Sequence, residues 1–591
     1  MLTVETTNDS TRLLIDGSTV IYHSHSFPFI SVTENSPTKK HSFFSNFFNS
    51  PVELDGIQYE ENLKILRFFS GNLSISFIVE ETSGALSLKL YKSSHDFDKI
   101  YIRIPTIPGE AIFGGGGVRT SPNLRGQKIM LWASADLPSD SSASLGGLLN
   151  RNAHTFPHTI PFFHTQSLSF AAFFFDGKIE LDFTQNNSFV AEFSGIPEHI
   201  TLGHATSQQE LLKLSDSFTG SKKPLPAWCY RGIILGISGG SSSLLSSVMK
   251  FREAGVPVSA LLIRDWTGRR MIGTSETEFW DWTWNREEYP HLDEGISALN
   301  RANIRVLCYI NPHFAIEGQL FAEASQRGYL IKDSTQGNLL TDMGGFMVGH
   351  LDLTNPSACE WMKNIIKHNI FDLGFSGFVA DIVSYPPDDC LLFNGKKPAA
   401  IRNRWVRLWA ELVTEASSSV SSPLIIYTAS APGSHVQLAE TNGSAAAWAE
   451  GNGLKSALSE MLSLGMSGSG VSFCNFGVYA NSIPDDMFLE QYVRWAELSV
   501  FTPIMQIQAL PTRLAELVAD DQKTTNIINR MAALHILISP YIQTCIDNCT
   551  MLGIPVLRHP FSVFPEVPQF ADLCSTFFLG EELMIAPVLS A

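Results

Sequence analysis

The sequence predicts a (β/α)₈ barrel preceded by an antiparallel β-sandwich, and three observations carry that prediction. The rhythm of the chain changes at the Pro-containing stretch SKKPLPAW, residues 221–228. Beyond it short apolar runs alternate with amphipathic helical periods, and those runs end on polar residues, as barrel strands do when they feed an active face.

Before that stretch, runs such as RLLIDGSTVIYHS, NLSISFIVEETSGALSLKLYKS and KIELDFTQNNSFVAEFSG alternate β-branched or aromatic residues with Gly, Asn and Ser turns. No long helical period interrupts them, which is a sandwich pattern for residues 1–225. The barrel follows over residues 226–550. Its β units are RGIILGIS, VSALLIRD, RVLCYIN, GFVADI, LIIYTA, AAAWAE, VSFCN and FTPIMQIQ, with helices such as SSLLSSVMKFREAG, LDEGISALNRAN and LKSALSEMLSLG between them. An open doubly wound sheet is the competing arrangement, but no Walker loop or dinucleotide fingerprint accompanies any strand. Residues 551–591 read as the start of a C-terminal β region that is cut short.

Composition narrows the partners. The chain has 591 residues, 44% hydrophobic and 11% aromatic, enough for a large core in more than one domain. A formal net charge of -17 argues against nucleic acid, whose binding rests on clustered Lys and Arg. No apolar run reaches the ~18 residues of a membrane span. Glu5, Asp9 and Arg12 stand where a signal peptide needs an apolar core, so a cytoplasmic chain is expected. The eight cysteines form no CxxC and read as buried thiols. His154, His158 and His164 lie in a Pro/Phe-rich stretch without a carboxylate in register, so neither a metal nor a cofactor is expected. Lys222 and Lys223 read as solvated linker residues. Oligomeric state is left open.

The strand ends define the candidate site. Asp381 closes GFVADI and is the candidate nucleophile; Asp265 closes VSALLIRD, Glu450 AAAWAE, Asn475 VSFCN, and Gln506 and Gln508 the last unit. Each alone could be a strand-end cap. Together they make a polar rim, and with Trp266, Trp280 and Tyr479 as stacking surfaces the ligand expected is a sugar ring. Arg264 is expected to pair with Asp265 or another rim carboxylate, because a buried unpaired guanidinium is costly.

These residues also carry a resemblance. LLIRDWTGRRM, FWDWTWNREEYPHLDEGI, YINPHF, GYLIKD, HLDLTNP, GFVADI and LSLGMSGSGVSFCNFGVY, in that order, resemble glycoside hydrolase family 31, most of all its sulfoquinovosidase-like branch. The resemblance implies retaining hydrolysis of an α-glycoside by two carboxylates. Asp381 corresponds to the nucleophile, Asp265 to an aspartate lining the sugar subsite, and residues 113–132 to a sandwich-derived loop near the pocket.

Departures stand beside the matches. Where relatives carry a Gly-Asp acid/base this chain reads WAEGNGLKS, which leaves Glu450 as the nearest acid. Thr428, Asn475, Gln506 and Gln508 replace charged groups, and Ser238, Arg264 and Thr277 replace the sulfonate-binding residues, with Trp280 and Tyr479 kept. A glycosidase with a relocated acid, and a degenerate relative that binds carbohydrate or protein, are the two expectations.

Overall fold

The computed structural model describes residues 2–7, 9–34, 50–82, 84–134, 156–220, 222–253, 255–273, 275–441, 453–476, 485–507 and 521–590. Alternating patterns in the first part of the chain become a three-stranded antiparallel sheet, Leu2–Thr6, Ser10–Ile15 and Ser18–Ser24, and two larger antiparallel sheets that stack. One has eight strands and runs in space from Ile112–Gly116 through Thr159–Thr165 to Gly56–Glu60; the other has six and includes Phe97–Pro105 and Ser188–Phe193. Their inner faces share an aromatic core in which Phe163 packs against Phe173, Phe183 and Phe189 at 5.7 to 6.1 Å. Strand Thr159–Thr165 is buried on both faces. Its second face, with Ile160 and Phe162, packs on Phe218, Ala439 and Leu464, joining the sandwich to the following domain.

The parallel barrel strands are β1 Ile233–Ile237, β2 Val258–Ile263, β3 Arg305–Ile310, β4 Gly377–Ala380, β5 Leu424–Tyr427, β6 Leu438–Thr441, β7 Ser472–Cys474 and β8 Gln506–Ile507. They neighbour one another in chain order, β8 pairs with β1, and a bridge between Phe476 and Ile507 joins β7 to β8. That single bridge brings the sheet nearly to closure as a barrel. β6 differs from the expectation. It is formed by LAET, upstream of AAAWAE, which lies outside the described residues.

The sandwich meets the barrel through a run of glycines. Gly114, Gly115 and Gly116 have φ of 122°, 85° and 92°, and a Cβ at Gly114 or Gly116 would stand 2.1 Å from the carbonyl oxygen of Phe162 or His158. Only glycine fits such a strand. Freed of side chains, it lies on helix Leu454–Met466, which is buried almost all round. Ser467 accepts from the Gly116 N–H at 2.8 Å, and Ser459 donates to the Val118 carbonyl at 3.1 Å. Arg119 and Glu460, both buried, close the contact with an ion pair at 3.1 Å. Lys222, expected to be solvated, is instead 9% exposed and ion-paired with Asp216 of the helix Gln208–Thr219.

After the barrel, helix Gln522–Leu552 starts on Asp521, whose side chain accepts from the Thr524 N–H, and ends at Gly553 with φ 74°. A three-stranded sheet, Leu557–Arg558, Phe577–Leu579 and Leu583–Ile585, follows. No helix among the described residues is long and apolar enough to cross a membrane.

Candidate active site

Strand register decides which side chains converge. Tyr309 on β3 lies opposite Val379 on β4, Ala380 opposite Tyr427 on β5, Tyr427 opposite Ala439 on β6, and Glu440 opposite Phe473 on β7. Side chains alternate faces along a strand. Tyr309, Asp381, Thr428, Glu440, Asn475 and Gln506 therefore share one face, with Arg264 joining them from the end of β2. Contacts among them identify it as the inner face. The Arg264 guanidinium lies 4.0 Å from the centre of the Tyr309 ring. Tyr309 donates its hydroxyl to Asp381 Oδ2 at 2.6 Å, Thr428 donates to Oδ1 at 2.6 Å, and Asn475 donates its amide N–H to Glu440.

Asp381 is thus held from several sides. The Ile382 N–H reaches Oδ1 at 2.8 Å, and Asn311, donating to the Tyr309 hydroxyl at 3.3 Å, leaves that hydroxyl's proton directed at Oδ2. Burial pushes the Tyr309 phenol well above its ordinary range, with the Asp381 charge adding to it, so Tyr309 remains a donor. Three donors fix the carboxylate's orientation and solvate its charge.

Glu440 is the second carboxyl on this face. It is 6% exposed, and burial, together with the nearby Asp381, pushes its carboxyl up to about 7 against the opposing pull of Arg264 and the Asn475 hydrogen bond. Its backbone is fixed from the sandwich. His158 Nε2 lies 3.0 Å from the Glu440 carbonyl and Nδ1 2.9 Å from the Ser430 hydroxyl. A carbonyl only accepts, so Nε2 carries a proton.

The other sequence candidates take distinct places. Asp265 is buried; Tyr289 donates to Oδ1, the Gly239 N–H to Oδ2 at 2.8 Å, and Arg269 stands 3.3 Å from Oδ2. Burial raises its carboxyl above the usual range, and those hydrogen bonds oppose the rise. Arg264 pairs with Glu278 at 2.9 Å rather than with its neighbour Asp265. Trp266 is wholly buried, its indole N–H donating to the Tyr309 carbonyl at 3.1 Å and its ring edge-on to Phe375, which leaves it no face at the rim. Trp280 is 5% exposed and edge-on to Phe346. Its indole N–H and both ends of the buried Gln506 amide have no hydrogen-bond partner among the described residues. Glu450, Tyr479 and Gln508 lie outside the described residues.

Sequence reasoning missed Glu440 and Tyr309. The signal for Glu440 was present, since QLAE, like AAAWAE, is a short run ending on a carboxylate. The third histidine of the Pro/Phe-rich stretch, His164, is buried and stacks on Phe113 at 5.4 Å; burial lowers its imidazole to about 4, while His154 lies outside the described residues.

Known proteins agree with this architecture. Residues 230–545 match the glycosyl hydrolases family 31 TIM-barrel domain. A sulfoquinovosidase of Escherichia coli (strain K12) is 30% identical over 538 residues, covering 88% of this chain and 78% of that protein. A sulfoquinovosidase of Agrobacterium fabrum is 28% identical, covering 85% of this chain and 78% of that protein. Among solved structures, a GH31 family sulfoquinovosidase from E. rectale in complex with the aza-sugar inhibitor IFGSQ has the same fold. Its TM-score is 0.90 at 23% identity, over 100% of this chain and 91% of that one. With the barrel match spanning more than half of the sequence, the chain belongs to glycoside hydrolase family 31.

Proposed function

We propose that the protein is a retaining α-glycosidase with Asp381 as its nucleophile. One observation carries the reading: a carboxylate at the mouth of the barrel, oriented by Tyr309, Thr428 and the Ile382 N–H, on the inner face where a second carboxyl also stands. Retaining hydrolysis needs such a pair. Held in place, Asp381 has little reorganisation to undergo on attack at the anomeric carbon.

The surrounding groups fit a pyranose. The Trp280 indole N–H and the Gln506 amide are buried polar groups that sugar hydroxyls would satisfy. Asp265 acts one step back, tying the loop after β1 to Tyr289 and Arg269. Arg264 is already paired with Glu278, which makes it a weaker anchor for an anionic substituent and favours an uncharged sugar over a sulfosugar.

A second reading, carbohydrate binding without turnover, is favoured by the uncharged amides Asn475 and Gln506 on the same face. Both are tested by following 4-nitrophenyl α-glucoside, α-xyloside and α-sulfoquinovoside by proton NMR. Release of the α-anomer first is the expected result. Release of the β-anomer would overturn retention, and sugar binding without release of nitrophenol would establish the second reading.

A further inference from the structure

We propose that Glu440, on strand β6 itself, is the proton donor and acceptor of this site, in place of an acid on the loop that follows. The inference rests on the reading of Asp381 as nucleophile and assigns the other half of the reaction to a residue the sequence did not single out.

Position is the first argument. Asp381 follows Ala380, which lies opposite Tyr427, and Tyr427 lies opposite Ala439, so Asp381, Thr428 and Glu440 form one row on the inner face. Two strand spacings of about 4.8 Å separate the backbones of Asp381 and Glu440. Retaining hydrolysis uses carboxyls ~5 to 5.5 Å apart, a separation that two side chains projecting from one face at that backbone spacing can reach. Thr428 fills the row between them, its hydroxyl committed to Asp381.

Surroundings are the second. Among the described residues, each charged or titratable group facing Glu440 has a definite part. Arg264, from the end of β2, is the nearby cation and is itself paired with Glu278; Asp381, from β4, is the nearby anion; Tyr309, from β3, remains a neutral donor. From β7 comes the neutral Asn475, which orients Oε1. From the sandwich His158 holds only the main-chain carbonyl. No cation is hydrogen-bonded to the Glu440 carboxyl among the described residues, so Glu440 can keep a proton. Its rise to about 7 follows from that setting and is the range a general acid needs near neutral pH.

The chemistry balances. In the first step Asp381 attacks the anomeric carbon, the bond from that carbon to the aglycone oxygen breaks, and the departing oxygen takes the Glu440 proton. In the second step water gives a proton to the Glu440 carboxylate as its oxygen attacks the same carbon, and the ester bond to Asp381 breaks.

Testing uses the full-length chain with Glu440→Gln and Glu440→Ala, methyl and 2,4-dinitrophenyl α-glycosides of glucose, xylose and sulfoquinovose, and sodium azide. Glu440→Gln should lose about 10² to 10⁴-fold on the methyl glycosides. On dinitrophenyl glycosides, whose anion leaves without a proton, release of the first equivalent should change less than tenfold. The wild-type fall in rate as pH rises through about 7 should vanish in Glu440→Gln. Azide should restore turnover of Glu440→Ala and yield the α-glycosyl azide, which a merely structural role would not produce. Equal losses on both leaving-group classes, an unmoved alkaline limb or absence of the azide product in a folded variant would overturn the assignment alone. A wild-type chain that turns over none of these glycosides would overturn the reading of function and this inference with it.

Discussion

At the scale of single residues, Tyr309 is where several interactions meet: it donates to Asp381 Oδ2, accepts from Asn311, and carries the Arg264 guanidinium on its ring. Tyr309→Phe removes the hydroxyl and keeps the ring, so a loss of orientation of Asp381 can be read apart from packing. A hydrogen bond to a charged group is worth about 1.5 to 3 kcal/mol. We expect kcat/KM on a nitrophenyl α-glycoside to fall about tenfold or more while the unfolding temperature moves little; unchanged kinetics would remove Tyr309 from the site. Asp381 was legible in sequence because an apolar run ending on an acid is a strong local pattern. Glu440 was not, because two such runs stand ten residues apart in the sequence and only strand register decides which enters the barrel. Trp266 shows the converse: an aromatic beside a strand-end acid reads as a sugar platform, yet its side chain turns into the core.

At the scale of elements, the contact between sandwich and barrel is a glycine strand against a serine-bearing helix. The helical period discloses the helix, whereas the glycine strand reads in sequence as part of a loop over residues 113–132, and their docking depends on backbone approach, which no pattern of hydrophobicity records. Gly116→Ala should be costly, since its φ of 92° disfavours a side chain and the new Cβ would meet the His158 carbonyl at 2.1 Å. Backbone strain of this kind costs about 1 to 3 kcal/mol before the clash is counted. Thermal unfolding should begin markedly earlier, and activity should fall with it because His158 holds Glu440; a variant as stable as wild type would show that the strand does not need glycine there. Arg119→Met tests the same seam, because it leaves Glu460 buried without its cation, an event that typically costs about 3 to 5 kcal/mol.

At the scale of the whole molecule, burial of histidines sets the pH range of stability. His164 and His350 are lowered to about 4, His559 to about 3, and His313 and His535 also fall below the ordinary value of 6.5, burial being the leading cause for all five. A histidine depressed in the folded state binds more protons when unfolded, so its stabilising contribution is present above about pH 6.5 and is lost as pH falls towards about 4. Glu440 acts in the opposite sense between its ordinary value of 4.5 and about 7, and the raised carboxyls of Asp176, Asp265 and Asp281 act with it, while His23 and His199, also lowered by burial, add to the histidine side. Urea unfolding should therefore need less denaturant at pH 5 than at pH 7.5, and equal midpoints would contradict this balance. What binds these scales together is the proposal that the barrel presents Asp381 for covalent attack. The most direct test is intact-mass spectrometry after incubation with 5-fluoro-α-glycosyl fluorides of glucose and xylose, activated glycosyl donors that form a slowly hydrolysed ester. One glycosyl adduct per chain, located to the peptide bearing Asp381 and absent from Asp381→Asn, is the predicted result; turnover without any adduct, or an adduct on another carboxylate that persists in Asp381→Asn, would contradict it.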